Sequence, residues 1–318
     1  IDVTHPALNS IGTTDYNTVT AELKNANGET VAYGALNTAD TSATVSTLSL
    51  PNGLADGIYT LTLRAEQWNG QNKTNYASEA YEAGTVYVGR NNRHNGHDFT
   101  PIYSEAQLAD MTEDDYSFLI TDITVNPSTV YSGHLCLNGF TVSGDIQVSD
   151  FALYDDNGKS GKIDGGLTLT EGTLTLNSGT VNGGINLMSG ALALAGGIVN
   201  ETEEGYSVVA ESGTTVTFPG KAVLNGGTAG LYLKGDAAVS AAGIVRPARP
   251  YTVKLESVEG SFCTDWDEKL DYARYFSGAN GYSVRREDTV LSIIECAHNV
   301  PEHPACGASC DHDGAHPV

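Results

Sequence analysis

Gly166-Leu-Thr-Leu-Thr-Glu-Gly-Thr-Leu-Thr-Leu-Asn-Ser-Gly-Thr-Val-Asn-Gly183 is followed at once by Gly184-Ile-Asn-Leu-Met-Ser-Gly-Ala-Leu-Ala-Leu-Ala-Gly-Gly-Ile-Val-Asn-Glu201. The second phrase restates the first at a period of 18 residues. Gly166, Gly172 and Gly179 fall opposite Gly184, Gly190 and Gly197. Leu167, Leu169, Leu174, Leu176 and Val181 fall opposite Ile185, Leu187, Leu192, Leu194 and Val199. Aliphatic side chains alternate with Thr, Asn and Ser, the pattern of a strand with one buried face. A fixed period of this kind signals stacked units, each too thin to bury a core alone. The expected fold is all-β: a β-helix, or β-solenoid, with three short strands per coil. Glycine marks the corners, aliphatic residues point inward, and Thr, Asn and Ser form outward ladders.

The pattern extends both ways. Gly161-Lys-Ile-Asp-Gly-Gly166 matches Gly179-Thr-Val-Asn-Gly-Gly184, and Gly230-Leu-Tyr-Leu-Lys-Gly to Val245 echoes the second phrase with a slip. The solenoid is therefore expected over 116–250. Three strands in one coil close either hand, but the hexapeptide signature of left-handed coils is not clean here, so a right-handed coil is expected. Ser104-Glu-Ala-Gln107 is a capping-box signature, whose hydroxyl and amide satisfy free N–H groups at a helix start. With Leu108 and Met111 on one side, that helix would plug the first rung, within a linker-and-cap segment 89–115. Residues 251–295 read as a C-terminal β cap, with Trp266 and Phe276 covering the last rung.

Residues 1–88 have a different texture. Val19, Ala21 and Leu23 alternate with Thr20 and Glu22, and Val45, Leu48, Leu50, Tyr59, Leu61 and Leu63 continue the half-buried pattern. Asn27-Gly28, Asn52-Gly53 and Asp56-Gly57 are turn dipeptides. This spacing suits an Ig-like antiparallel β-sandwich.

Composition excludes some functions. The 318 residues carry 16 basic and 39 acidic side chains, a formal charge of −23. That opposes electrostatic binding of nucleic acid or of an anionic membrane surface. No apolar run is long enough to span a bilayer. With 40% apolar residues the chain is not a disordered acidic tail. It opens on Ile1 with no visible signal peptide, so we expect an excised segment of a longer secreted protein, monomeric in this part.

Ligand-type residues are densest at the C-terminus, in the tail 296–318. Cys296, His298, His303, Cys306, Cys310 and His312 combine the preferred zinc donors at usual spacing. A structural zinc, a disulfide among the three cysteines, and an unordered tail all fit that composition. A catalytic zinc does not, because no general-base carboxylate sits at a recognisable spacing. His94 and His97 lie in the polar stretch 89–100, which reads as a loop. Cys136 reads as a small buried thiol, pointing inward between Leu135 and Leu137 or outward with them inside.

Asp155-Asp-Asn-Gly158 offers oxygen ligands for Ca²⁺ at a turn, though the rest of an EF-hand loop is missing. Lys159, Lys162, Asp156 and Asp164 cluster nearby, and Glu201, Glu203, Glu204 and Glu211 cluster later, each where the repeat is interrupted. A lyase base or a hydrolase carboxylate pair would be sought in such clusters. Between 166 and 200 the sole charged residue is Glu171. Solvated loops are the simpler reading. Sugar binding asks for aromatic faces and hydrogen-bonding ladders instead. Trp68 and Tyr76 in one loop, and Tyr206 and Tyr232 exposed on the solenoid, are the binding candidates.

Three stretches carry a resemblance. Gly57-Ile-Tyr-Thr-Leu-Thr-Leu-Arg-Ala-Glu-Gln-Trp-Asn-Gly70 with Lys73-Thr-Asn-Tyr-Ala-Ser78 resembles an Ig-like module of large surface proteins of gut Firmicutes. His134-Leu-Cys-Leu-Asn-Gly-Phe-Thr-Val142 is similar to the phrase that opens the solenoid in those proteins, and the tail is similar to their Cys/His-rich tails. The resemblance implies a bacterial, extracellular, cell-surface or secreted adhesin segment that is not an enzyme and requires no cofactor. Host glycan, mucin or secreted immunoglobulin would be its partner. A carbohydrate-active β-helix enzyme and a structural spacer are the alternatives.

Overall fold

The computed structural model describes residues 1–7, 18–36, 42–55, 57–66, 78–89, 92–94, 96–155, 160–257 and 259–295, with only the backbone of 92 and 93. The chain divides into two compact units, Ile1–Asn91 and Asn92–Val318.

In the first unit, four antiparallel strands pair in the order Thr30–Leu36, Thr18–Lys24, Gly57–Glu66, Tyr81–Val88. Asp2–Thr4 and Val45–Thr47 form a separate antiparallel pair. The alternation seen in the sequence is the burial pattern: Val19, Ala21, Leu23, Tyr59, Leu61 and Leu63 are buried. Val3, within the two-stranded pair, and Leu48, just after it, pack into the same core. Val45 departs from expectation. It is 57% exposed, because its strand is only three residues long and has a single partner.

The second unit is a β-solenoid of about 8 turns. Its registers are those of the repeat. Leu167 pairs with Ile185, Leu169 with Leu187, Leu174 with Leu192, Leu176 with Leu194 and Val181 with Val199, all in parallel. One wall is a six-stranded sheet running from Ile123–Thr124 through Thr141–Ser143, Lys162–Asp164, Thr180–Val181 and Ile198–Val199 to Val223–Leu224. The other two walls merge into one 14-stranded sheet, because strands such as Leu167–Leu176 run through the bend between them. Inward residues stack into columns, for example Ile146, Leu167, Ile185, Val208, Leu231 and Val253, each fully buried.

The bend shows why glycine is required. Gly190 has φ +78°, and a Cβ there would lie 1.9 Å from the Gly172 carbonyl oxygen of the coil below. Both the left-handed backbone and the close approach exclude a side chain. The same bend two coils before Gly190 holds Asp150 at φ +42°, where its carboxylate accepts the Thr173 N–H at 2.9 Å.

On another corner a side-chain ladder runs with the repeat. The Asn225 amide donates to Asn200, Asn200 to Asn182, and Asn182 to the Asp164 carboxylate, at 2.9, 2.9 and 2.7 Å. The Asn182 amide, with the Lys162 ammonium, holds the Asp164 carboxyl below the usual range.

Both ends of the axis are covered. Helix Glu105–Ala109 is capped by the Ser104 hydroxyl, which accepts the Gln107 N–H at 3.3 Å, and it buries Leu108 in the solenoid core. The Gln107 carbonyl oxygen accepts from Tyr103, one residue before the position a capping box uses. At the other end Trp266 and Phe276 are 1% exposed and meet edge to face at 5.9 Å. Gly260–Cys263, Tyr282–Glu287 and Val290–Glu295 form a three-stranded antiparallel sheet there. Tyr251–Leu255 and Phe276–Gly278, which fall within the segment 251–295 read as the C-terminal cap, are parallel members of the long sheet.

The stretch read as a linker loop is also ordered differently. Asn92–His94 and His97–Ile102 form a hairpin whose second strand pairs in parallel with Tyr116–Leu119. Its sequence gives no alternation because aromatic and imidazole rings, not aliphatic chains, fasten it to the sheet.

Candidate functional site

The solenoid puts every second residue on its outer surface, so one outward column can be followed across the coils. Along the second wall it reads Gln147, Thr168, Asn186, Val209, Tyr232, Lys254. The first three are amides and a hydroxyl. The last three change character. Tyr232 stacks on Tyr206 with centroids 4.6 Å apart and planes 27° apart. The Lys254 ammonium stands 5.1 Å from the Tyr206 centroid and 5.2 Å from that of Tyr232, and donates to the Tyr206 hydroxyl at 2.7 Å. Lys234 stands 5.7 Å from the Tyr232 centroid and pairs with Glu211 at 2.7 Å. Val209, Ala229 and Ala279 pack beneath the two tyrosines.

The local sequence explains this grouping. Glu201–Gly205 interrupt the repeat, and the chain re-enters the wall at Tyr206. The partner of Tyr206 on the next coil is Ala229, which is small and fully buried, so the ring swings toward Tyr232. Tyr232 and Lys234 alternate with the inward Leu231 and Leu233. Tyr251-Thr-Val-Lys-Leu255 alternates likewise, placing Lys254 directly above Tyr232.

The electrostatics are set by phenols. The hydrogen bond to Tyr206 raises the Lys254 pKa, and Tyr232 and Tyr282 add to it. The Glu211 carboxylate does the same for Lys234. Among the described residues no carboxylate pairs with Lys254.

One expectation is corrected here. Tyr206 is not exposed; it is 7% accessible, because Tyr232 covers it. Tyr232 is half-buried and is the ring that meets solvent. Lys254 and Lys234 were missed by reading aromatics alone. Counting the outward column across coils of unequal length would have found them.

The other candidates fare differently. Asp155 is buried, and its two carboxylate oxygens accept the N–H groups of Gly139 and Gly161, each at 2.8 Å. Its own N–H donates to Ser178 at 2.6 Å. This carboxylate thus ties the backbone at Gly139 and Gly161 to the Asp155 turn; Asp156 lies outside the described residues. Lys162 pairs with Asp164 at 3.2 Å on the wall surface. Glu201, Glu203 and Glu204 are exposed, as solvated loop residues should be.

Cys136 points outward, with Leu135 and Leu137 in the core, and is nonetheless fully buried. The 92–102 hairpin covers it, and His94 Nε2 lies 3.0 Å from its Sγ. His97, Tyr116 and His134 stack in sequence at 4.2 and 4.0 Å, nearly parallel. Burial, and then the neighbouring His97, push the His134 imidazole below its ordinary pKa. His94 and His97 both take part in ring packing, and His94 also meets the Cys136 thiol. No group of three or more metal-ligating side chains converges among the described residues. Trp68, Tyr76, and the tail residues Cys296, His298, His303, Cys306, Cys310 and His312 lie outside the described residues.

No helix of the described residues is long and apolar enough to cross a membrane. Comparison with family models, curated proteins and solved structures finds no match to this chain, so its function has to be argued from the geometry above.

Proposed function

We propose that this chain is a non-catalytic, extracellular surface-display segment that binds glycan on the outer face of its solenoid. In this reading an Ig-like module precedes a right-handed β-helix, and the pair belongs to a bacterial adhesin acting on host glycan or glycoprotein. The observation that carries it is the Tyr232–Tyr206–Lys254 group. An aromatic face beside fixed hydrogen-bond donors, on a wall otherwise lined with Gln147, Thr168 and Asn186, is the chemistry that holds a sugar ring. The lyase or hydrolase alternative draws less support, because Asp155 is engaged with backbone amides and Asp164 with Asn182 and Lys162.

The test is an array of immobilised host-type glycans probed with the purified chain, beside a Tyr232→Ala variant. Reproducible binding that the variant loses is expected. Binding that Tyr232→Ala leaves intact would move the site elsewhere. Silence across the array would favour the structural spacer, and turnover of any polysaccharide would favour the enzyme.

A further inference from the structure

We propose that Lys254 and the Tyr206 hydroxyl are an anion anchor, so that the sugar taken on Tyr232 carries a carboxylate. This rests on the glycan reading of the same surface and adds the ligand's chemical class.

Three observations carry it. First, Lys254 is a cation without a carboxylate partner among the described residues, on a chain with 39 acidic side chains. Its electrostatic neighbours are Tyr206, Tyr232 and Tyr282. An ammonium has three donors, and one is given to Tyr206. Second, the Tyr206 hydroxyl accepts that bond, and no described residue accepts the hydroxyl's own proton. The two donor groups lie 2.7 Å apart, the tyrosine largely buried and the lysine partly exposed. A carboxylate is an acceptor-only, two-oxygen group that fits such a pair, and its bond to an ammonium is charge-assisted. Third, Glu211, an acid beside the platform, is paired with Lys234 at 2.7 Å, and Glu204 also acts on that lysine. An approaching anion therefore meets at least one acid already paired.

Long-range attraction plays no part. The chain's charge of −23 repels anions at a distance. The anchor acts at contact, inside a screening length of about 8 Å at physiological ionic strength. Recognition then divides between a ring face stacked on Tyr232 and an acid held by Lys254. A uronic or sialic acid residue has both parts.

The test uses the whole chain and three small probes: methyl β-glucuronide, methyl β-glucoside and glucose 6-sulfate. Binding is followed by the shifts of the Tyr232 and Tyr206 ring signals and of the Lys254 side-chain carbons. The glucuronide should bind at least about tenfold more tightly than the glucoside, the factor that one charged hydrogen bond supplies. Lys254→Met should erase that ratio while the glucoside still binds. Tyr206→Phe should reduce it, and Tyr232→Ala should lose both sugars. Lys221→Met, at an exposed lysine that takes no part in the platform, should change nothing. Equal affinity for glucuronide and glucoside overturns the anchor but leaves the glycan site standing. A preference for the sulfate overturns the carboxylate assignment. No response to any probe at the Tyr232 signals overturns the glycan site itself. If Lys254→Met fails to fold, the Lys254 carbon shifts in the unaltered chain still decide: they move on adding glucuronide, or the proposal fails.

Discussion

Replacing Gly190 by alanine tests the stacking of the coils at its tightest point. Two costs arise. The backbone there has φ +78°, which an L side chain adopts at a penalty of about 1–2 kcal/mol. The new Cβ would also lie 1.9 Å from the Gly172 carbonyl oxygen, a backbone atom that cannot rotate away. Forcing the coils apart there costs a further amount of about 1–3 kcal/mol, the usual range for overpacking. Gly190→Ala should therefore destabilise the solenoid by about 2–5 kcal/mol, less a few tenths regained from the stiffer unfolded chain. Gly213→Ala is the control. Gly213 has φ +82°, but a Cβ there would meet nothing within 4 Å, so only the first cost applies. Urea unfolding followed by circular dichroism measures both variants. Amide exchange at Met188 and Thr215 localises the effect, since their N–H groups bond to Leu169 and Gly190 across adjacent coils. Equal losses for the two variants would refute the close approach and, with it, the stated register of the bend.

Leu192 is fully buried between Leu174 and Val216, so Leu192→Ala should cost about 2–5 kcal/mol in the same urea assay. The Asp164 carboxyl should titrate below an ordinary aspartate by carbon NMR, and Asn182→Ala should move its midpoint back up, because the Asn182 amide is the main cause of the shift. The sign follows: what that shift contributes is present above the ordinary aspartate range and is lost as pH falls through the depressed value. Burial pushes the Cys263 thiol up to about 12, so peptide mapping after iodoacetamide at pH 9 should find it unmodified in the folded chain and alkylated in urea. Its contribution runs the other way: it is complete below the ordinary thiol value and lost as pH rises toward about 12.

Much of the solenoid was legible because its requirement is repeated. Inward Leu167, Leu169, Leu174 and Leu176 recur as Ile185, Leu187, Leu192 and Leu194, and parallel pairing at fixed period leaves one register that buries them all. The Ser104 cap and the covering Trp266 were legible for a local reason, since each signal lies within a few residues. What failed depended on distant partners. Val45 alternates correctly but lacks a second sheet neighbour. The amide contacts of Asp155 were not readable, because Gly139 and Gly161 reach it from 16 and 6 residues away. The hairpin of Asn92–His94 and His97–Ile102 is held by Tyr116 and Tyr154, neither adjacent in sequence. The candidate site was half legible. Tyr206 and Tyr232 were picked as aromatics, but their contact, and the lysine beside them, follow only from counting across coils.

That count bears on where function can arise on such a scaffold. From Leu167 to Ile185 the register advances 18 residues; from Ile185 to Val208 it advances 23. The surplus of five equals the length of Glu201–Gly205, which precedes Tyr206. The regular coils admit little novelty, because their inward columns are fixed by packing and their outward columns by ladders such as Asn182–Asn200. A coil that lengthens keeps its inward column, as Val208 does beneath Leu231, and releases residues to the outside. Tyr206 reaches Tyr232 only because that release occurs one coil earlier. The aromatic–lysine surface therefore begins where the 18-residue period ends, and the strict repeat beneath it supplies the rigid backing that a two-point site for ring and acid requires.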